Sequence, residues 1–399
     1  MTRDWERVER ELTTEAVTGL LCDLIRIPSM NNFGDASLDG EEYREEAVAR
    51  FVADYFASTP CTVRFTEVLP GRPNLTVTLP GRREEKVLVF EAHTDTVQSA
   101  AMEIPPFDPV VTGGRVYGLG ACDTKGSLAA MMLALKAVSS LAEPPECTIV
   151  LAATMDEEYL HRGVTHLLEQ GFRAAGAVVG EPTGLELVIA HKGCVRWRVE
   201  TVGRAAHSSR PQDGINAVMK MVRVLAMIES ELIPECHRTR HPLVGSPSFN
   251  VGTIRGGVQS NIVPDRCVID IDRRMIPGEN AEAILADFRR RLDELARREP
   301  DFQFVVHPPY LVDPALETSP SASIVRVAQE VCAELAGRGE VAGVPYGTDA
   351  SKFACAGIPA IVLGPGSIAQ AHSAREFVPV DELLQAARIY ARLMLRFTG

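Results

Sequence analysis

Short hydrophobic runs that alternate with helical patterns are the feature that most limits the fold of this chain. VLVFEA from about residue 86, CTIVLAAT and AGAVVG are typical of buried strands, and helical patterns at about 125–140 and 163–169 separate them. This alternation predicts an α/β fold with a mixed, largely parallel sheet flanked by helices. In open sheets of this kind, ligands bind beyond the carboxyl ends of the strands.

The alternation is interrupted between about Leu187 and His307. This stretch contains the β-rich runs CVRWRVETV, SFNVGTIRGG, CVIDIDRRM and FQFVVH, with helical patterns over 216–228 and 281–298. Its β, α, β, β, α, β order predicts an inserted, ferredoxin-like α+β domain. Helical patterns and the apolar run PAIVLGPG then return to α/β alternation. We therefore expect one domain from residues 1–186 and 308–399, and a second from residues 187–307.

Composition excludes several classes of function. The net charge of −12, from 41 basic and 53 acidic side chains, leaves no basic stripe for nucleic acid. The first segment, MTRDWERVERELTTEAV, is charged throughout, and no run is long and apolar enough to span a bilayer, so we expect neither a secretory signal nor a membrane partner. Nine cysteines without disulfide-like spacing indicate the reducing cytoplasm.

Acidic and imidazole side chains lie where the hydrophobic runs end, or in Gly-rich turns. The set comprises His93 and Asp95 in EAHTDTV, Asp123 in GACDTKG, Glu157 and Glu158 in MDEE, Glu181 in GEPT, and His372 in QAHS. These groups are typical ligands of hydrolytic divalent cations, and buried carboxylates without a cation would be costly. The pattern therefore predicts a site for two metal ions.

Spacing suggests individual roles. Asp95 lies two residues after His93, on the same side, so it could accept a hydrogen bond from the ring nitrogen that faces away from a metal. Asp123, at the start of a helix, could bridge two cations. Of the two adjacent glutamates, Glu158 could bind metal while Glu157 takes a proton from water.

Each of these residues also has a simple structural explanation. Asp123 could cap the following helix, since Asp is a favoured N-cap residue. Glu157 and Glu158 could form a solvated, acidic helix start. The others could be ordinary loop, turn or structural residues: His93, Asp95, Glu181 and His372. The agreement of several strand-end positions favours the metal site.

The motifs HTDTV, GACDTKG, DEE, GEPT and QAHS resemble, in order, those of the M20 metallopeptidase and amidohydrolase family. This family includes acetylornithine deacetylase, succinyl-diaminopimelate desuccinylase, aminoacylase and glutamate carboxypeptidase. The resemblance implies that His93 and Glu181 hold one metal ion, that Glu158 and His372 hold the other, and that Asp123 bridges both.

The resemblance also implies that Asp95 supports His93 and that Glu157 is the catalytic acid and base. The inserted domain is similar to the family's lid and dimerisation domain. In its GRAAHSSRP segment, His207 resembles the histidine that reaches the active site of the partner subunit and polarises the scissile carbonyl. Lys125, in the DTKG turn, is expected to be a structural partner.

Two further residues of the insertion, Asn261 in GGVQSNIVP and Arg274 in DRRMIPG, resemble the family's binders of a substrate carboxylate. An arginine can hold a carboxylate with two parallel hydrogen bonds. Counting back from the Pro-Gly pair favours Arg274 over Arg273, with a surface salt bridge as the alternative role.

The segment PYGTDAS, with Gly347, Thr348 and Asp349, resembles the family loop that approaches the substrate. GTDAS is closer to glutamate carboxypeptidase-like members, whereas AHKG and LGPGSIAQAH are closer to acetylornithine deacetylase-like ones. The motifs therefore do not decide which acyl group and which amino acid the substrate contains.

These motifs imply hydrolysis of an N-acyl amino acid, in the manner of acetylornithine deacetylase or succinyl-diaminopimelate desuccinylase, by metal-activated water with Glu157 as general base and acid. Zinc suits the ligands, and cobalt or manganese would also fit. We expect a cytoplasmic homodimer that acts on a small N-acyl amino acid or dipeptide. A dipeptidase or carboxypeptidase, and a metal-free binding protein on the same scaffold, are the alternative functions.

Overall fold

The structure, a computed structural model, describes residues 2–399. The chain forms two compact units. The first contains the chain up to Ile189 together with Thr318–Ala342 and Thr348–Gly399, and the second contains Ala190–Glu317 and Gly343–Gly347. Within residues 2–399, none of the helices has the length and apolar character needed to cross a membrane.

Helices and strands alternate along most of the chain. The helices are α1 Thr2–Glu11, α2 Thr14–Ile25, α3 Glu46–Tyr55, α4 Lys125–Ser139, α5 Arg162–Glu169, α6 Ala217–Met227, α7 Ile233–Arg238, α8 Ala281–Arg298, α9 Ser323–Ala336, α10 Ala350–Cys355 and α11 Val380–Arg396. The strands are β1 Thr62–Leu69, β2 Arg72–Leu79, β3 Arg83–His93, β4 Val110–Thr112, β5 Arg115–Tyr117, β6 Cys147–Thr154, β7 Gly176–Val179, β8 Leu187–His191, β9 Gly193–Val202, β10 Ser248–Gly256, β11 Arg266–Met275, β12 Gln303–Val306, β13 Leu311–Asp313, β14 Leu316–Glu317, β15 Val341–Val344, β16 Ala360–Val362 and β17 Phe377–Pro379.

The main sheet of the first unit has the strand order β1-β2-β6-β3-β7-β16-β8. The central strands β6, β3, β7 and β16 are parallel, whereas β1, β2 and β8 pair in antiparallel fashion. Every residue of β6 and β7 is buried, as expected for parallel strands covered on both faces. The predicted mixed, largely parallel sheet is confirmed.

The parallel register brings the ends of three strands to one edge of the sheet. His93, the last residue of β3, lies opposite Thr154, the last residue of β6. On the other side of β3, Glu91 lies opposite Val179, the last residue of β7. Residues that follow β3, β6 and β7 therefore emerge close together.

The second unit is built on an antiparallel sheet of order β10-β11-β9-β12. Buried and partly exposed residues alternate along β11, so one face of this sheet packs on the core. Trp197 is fully buried there and makes edge-to-face contacts with Phe249 and Phe288. The predicted β, α, β, β, α, β order is present as β9, α6, β10, β11, α8 and β12.

The limits of the second unit differ from the predicted limits of 187–307. Strand β13 pairs with β9, and β14 pairs with the end of β8, so the chain stays in the second unit beyond His307. These strands are only three and two residues long. Runs this short carry no periodic signal in the sequence.

Candidate active site

Asp123 lies between two histidines from distant parts of the chain. Its Oδ1 is 3.0 Å from Nε2 of His93, and its Oδ2 is 3.4 Å from Nε2 of His372. The side chain does not cap α4, because the N-cap of that helix is Thr124. Each carboxylate oxygen faces a different imidazole, which suits a carboxylate shared by two cations.

The other two predicted ligands complete two groups around Asp123. Oε1 of Glu181 lies 3.6 Å from Nε2 of His93, and Oε1 of Glu158 lies 3.1 Å from Nε2 of His372. Each glutamate side chain is only 7% exposed, so neither belongs to a solvated turn or helix start. The structure therefore brings together all five residues that the resemblance assigns to metal binding.

The electrostatics of these groups fit divalent cations. Burial and the charge of Asp123 raise the pKa of Glu181 well above its usual value, and the same two causes raise the pKa of Glu158. Hydrogen bonds with Asp123 and Glu158 raise the pKa of His372 to about 11. The cluster thus attracts positive charge. Its imidazole nitrogens and carboxylate oxygens are donors of the type that zinc and similar ions bind.

Donor atoms also lie close enough to share an ion. One nitrogen of His93 and one carboxylate oxygen each of Asp123 and Glu158 lie within 4.8 Å of one another, and so do donors of His93, Glu157 and Glu181. Both groups contain His93, so these distances indicate room for an ion at the end of β3 and do not by themselves separate two ion sites.

Asp95 connects the end of β3 to the glutamate pair. Its Oδ1 accepts a hydrogen bond from the backbone N–H of Glu157 at 3.1 Å, and its Oδ2 accepts one from the backbone N–H of Glu158, also at 3.1 Å. The side-chain amide of Asn31 donates a further hydrogen bond to Oδ2 at 2.8 Å. Nδ1 of His93 lies 2.9 Å from the backbone oxygen of Asp95 and 3.5 Å from its Oδ1. The nearer partner of the ring is therefore the carbonyl. The carboxylate mainly orients the glutamates.

Glu157 has a carboxylate oxygen within 4.8 Å of donor atoms of His93 and Glu181, and its side chain is 13% exposed. Burial raises its pKa well above the usual value, and the positive charge of His161 opposes this increase. A carboxylate whose pKa is raised by burial suits a group that accepts and returns a proton.

Sequence comparisons with known proteins identify the family. The sequence pattern of peptidase family M20/M25/M40 matches residues 89–396. The chain belongs to this family. It is 32% identical over 315 residues to acetylornithine deacetylase of Myxococcus xanthus, covering 78% of this chain and 80% of that protein. It is 30% identical over 369 residues to acetylornithine deacetylase of Vibrio cholerae serotype O1, and the alignment covers 90% of this chain and 93% of that protein.

The fold of this M20-family protein also matches a solved structure. Aminopeptidase PepT from Bacillus cereus aligns with a TM-score of 0.77 and 23% identity, covering 98% of this chain and 100% of PepT. Family membership identifies the protein as a metallohydrolase. Of the functions considered, an enzyme is therefore favoured over a metal-free binding protein on the same scaffold.

Some residues that the M20 resemblance assigns to substrate lie in the second unit. His207 is exposed, and its Nδ1 is 2.8 Å from Oγ of Ser209. Asn261 is its neighbour, because the backbone N–H of Ser208 donates to the carbonyl oxygen of Asn261 at 3.0 Å. The second unit thus brings His207 and Asn261 together.

The two adjacent arginines of β11 differ in their environments. Arg273 is almost fully buried and pairs with Glu279 at 2.6 Å. The side chain of Arg274 is 33% exposed, and its Nε lies 2.9 Å from Oδ1 of Asp272. Arg273 is thus committed to a structural ion pair, whereas Arg274 stays accessible.

The PYGTDAS loop is divided between the units. Gly347 belongs to the second unit, and a Cβ there would collide with the carboxylate of Asp313. Thr348 belongs to the first unit, is fully buried, and its Oγ1 accepts the N–H of Ala350 at 3.2 Å. Assignment of Gly347 and Thr348 to substrate binding remains a prediction.

Two supporting residues were not found from the sequence. Glu376 is buried, and its carboxylate accepts N–H groups from the loop that carries Asp123. Asn31 joins Asp95 to Asp156, since its side-chain nitrogen lies 2.8 Å and 2.9 Å from their carboxylates. Neither residue belongs to a recognisable motif, and only the folded chain brings them to the site.

Lys125 does have a structural role. Its Nζ donates to the backbone oxygens of Leu24 at 3.1 Å and Ile27 at 2.7 Å. Burial lowers the pKa of this amine to about 7. The lysine therefore connects the start of α4 to the end of α2.

Proposed function

We propose that this M20-family enzyme hydrolyses the amide bond of an N-acyl amino acid, as an acetylornithine deacetylase-like or succinyl-diaminopimelate desuccinylase-like enzyme. The observation that carries the proposal is the position of Asp123 between His93 and His372, with Glu157 beside them. Relatives named acetylornithine deacetylase, at 30–32% identity over most of the chain, support this substrate class.

His93 and Glu181 would hold one ion, Glu158 and His372 the other, and Asp123 both. Two divalent ions there would lower the pKa of a water molecule and polarise the amide carbonyl. Zinc fits the mixed ligands best, with cobalt or manganese as alternatives.

The protein's own groups would then move the proton and stabilise charge. Glu157 takes a proton from the attacking water and donates it to the departing amine, so that it serves as base and then as acid. His207 reaches the active site of the other subunit of the proposed dimer and donates a hydrogen bond to the carbonyl oxygen there as negative charge develops. Donors placed in this way typically contribute about 3 to 4 kcal/mol to catalysis.

Substrate recognition is assigned to four residues. Arg274 and Asn261 bind the carboxylate of the amino acid, and Gly347 and Thr348 belong to the loop that approaches the substrate. The accessible guanidinium of Arg274 supports this role, since it can form two parallel hydrogen bonds with a carboxylate.

We also propose a homodimer formed through the second unit. Strand β10 lies at the edge of its sheet, and exposed apolar side chains lie on β10, on α6 and in the loop after β10: Ile254, Met219, Val222 and Val258. An unpaired edge with an apolar surface favours pairing with a second copy. The Ile254→Asp variant should shift the mass in solution from dimer to monomer, and an unchanged dimer would contradict this interface.

The scattered cysteines support a cytoplasmic location.

A substrate panel tests the proposed reaction. N-acetylornithine, N-succinyl-diaminopimelate, other N-acetyl amino acids and dipeptides would each be incubated with enzyme loaded with zinc, cobalt or manganese, and release of free amine would be measured. We expect turnover of an N-acyl amino acid. Turnover of dipeptides alone would favour the dipeptidase or carboxypeptidase, which the GTDAS motif supports. No turnover by enzyme with two bound ions would contradict both.

A further inference from the structure

His161 lies between Glu157 and a second buried carboxylate, that of Asp349. Its Nδ1 is 2.8 Å from Oδ1 of Asp349 and 3.6 Å from Oε1 of Glu157. All three residues belong to the first unit. The side chains of His161 and Asp349 are 12% and 1% exposed, so water is largely excluded from the contact between them.

The backbone of His161 is held in an uncommon conformation. Its φ of 54° lies in the left-handed region, and its N–H donates to the backbone oxygen of Asp156 at 2.8 Å. Residues with side chains keep this conformation where surrounding contacts impose it. The carboxylate of Asp156 also accepts a hydrogen bond from Nε of Arg162 at 2.6 Å. The turn that carries Glu157 is thereby connected to the start of α5.

The charges around His161 favour its protonated form. Burial and the positive charge of Lys352 lower the pKa of His161, but the hydrogen bond with Asp349 and the charge of Glu157 raise it to about 9. A cation 3.6 Å from a largely buried carboxylate attracts it strongly, because little water screens the interaction. Asp349 in turn restricts the imidazole through its hydrogen bond.

We infer that His161, anchored by Asp349, is a positioning residue that holds the carboxylate of Glu157 in its working orientation. This inference rests on the proposed role of Glu157 as base and acid. His161 belongs to neither of the two proposed ligand sets, but its ring lies within 4.8 Å of donor atoms of Glu157 and Asp349, so metal content must be measured for every variant.

Kinetics of His161→Ala and His161→Asn provide the first test, with His166→Ala on α5, the helix that begins directly after His161, as the control. For any substrate that the wild type hydrolyses, H161A should lower kcat by about 10- to 100-fold and leave KM within about twofold. The amide nitrogen of asparagine keeps a donor for Asp349 but carries no positive charge, so H161N should recover only part of kcat. All variants should keep the metal content of the wild type.

Crystal structures of the metal-loaded wild type and H161A provide the second test. We expect the Glu157 carboxylate to shift by about 1 Å or more in H161A, a displacement large enough to impair catalysis. An unshifted carboxylate, an unchanged kcat, or loss of a bound ion from H161A would overturn the inference. An inactive wild type would contradict the proposed function, while the position of Glu157 would still decide the inference. If H161A fails to fold, H161N and Asp349→Asn allow the same comparison.

Discussion

The carboxylate of Glu376 accepts a hydrogen bond from the backbone N–H of Asp123 at 3.0 Å. It also accepts the N–H groups of Gly120 at 2.9 Å and Cys122 at 2.8 Å. A residue near the C-terminal helix therefore orients the loop that presents the proposed bridging ligand.

We expect Glu376→Ala to weaken metal binding by about 10- to 100-fold, the usual cost of losing a group that orients a ligand. Three buried N–H groups would also lose their acceptor, so the free energy of unfolding should fall by about 1 to 3 kcal/mol or more. Competition with a chelator measures the affinity, and urea denaturation measures the stability. The exposed Glu330→Ala on α9 is the control. Unchanged affinity would show that Glu376 is not needed to orient Asp123.

The shared position of Asp123 predicts a difference in metal content between variants. His372→Ala should lose one ion and keep the one held by His93 and Glu181, whereas Asp123→Ala should lose both, because its two oxygens face both sites. Elemental analysis after dialysis measures the number of ions per chain. Retention of two ions by D123A would rule out a bridging role.

Glu157→Gln should lower kcat by about 100- to 10,000-fold, because an amide cannot accept and return the proton. Metal content should stay that of the wild type, since Glu157 is assigned a proton-transfer role and no ligand role. The rate of amine release and elemental analysis test the two parts of this prediction. Wild-type turnover in E157Q would require another base.

Removal of metal should destabilise the first unit. The carboxylates of Asp123, Glu158 and Glu181 are buried close together, and without cations their mutual repulsion is relieved only by protons. Each ion present at a hundred times its Kd would stabilise the folded state by about 2.7 kcal/mol. Thermal denaturation should show a lower Tm after chelation and recovery with two equivalents of metal. A Tm that is insensitive to chelation would contradict a metal site at these residues.

Arg72→Met should lower the free energy of unfolding by about 3 to 5 kcal/mol, as expected when one partner of a buried ion pair is removed. Arg72 lies 2.6 Å from Glu45 and 3.2 Å from Asp156, and both carboxylates are fully buried. The control is Arg82→Met. The Arg82 side chain is 57% exposed and pairs with Glu146 at 2.8 Å, so its loss should lower the free energy of unfolding by no more than about 1 kcal/mol. Equal urea midpoints for the two variants would contradict this prediction.

Much of the fold could be predicted because its signals are local. The helical pattern over 281–298 coincides with α8, and the run CTIVLAAT coincides with β6. The hydrogen bond between Asp95 and the backbone of Glu157 could not be predicted, because the two residues are separated by 62 positions. No periodicity relates residues that far apart.

The two arginines of β11 show the same limit. Adjacent residues of a strand point to opposite faces, but the sequence does not say which face is covered. The structure decides this, since Arg273 is buried against Glu279 while Arg274 is partly exposed.

The sequence by itself determined the alternation of strands and helices, the residues that follow each strand and, through the order of its motifs, the resemblance to the M20 family. These depend on the identity of neighbouring residues. Only the tertiary structure decided which oxygen of Asp123 faces which histidine, that Glu376 supports it, and that His161 lies between Glu157 and Asp349. The reason is that distances between residues far apart in the chain are set by strand register and core packing, which no local pattern specifies.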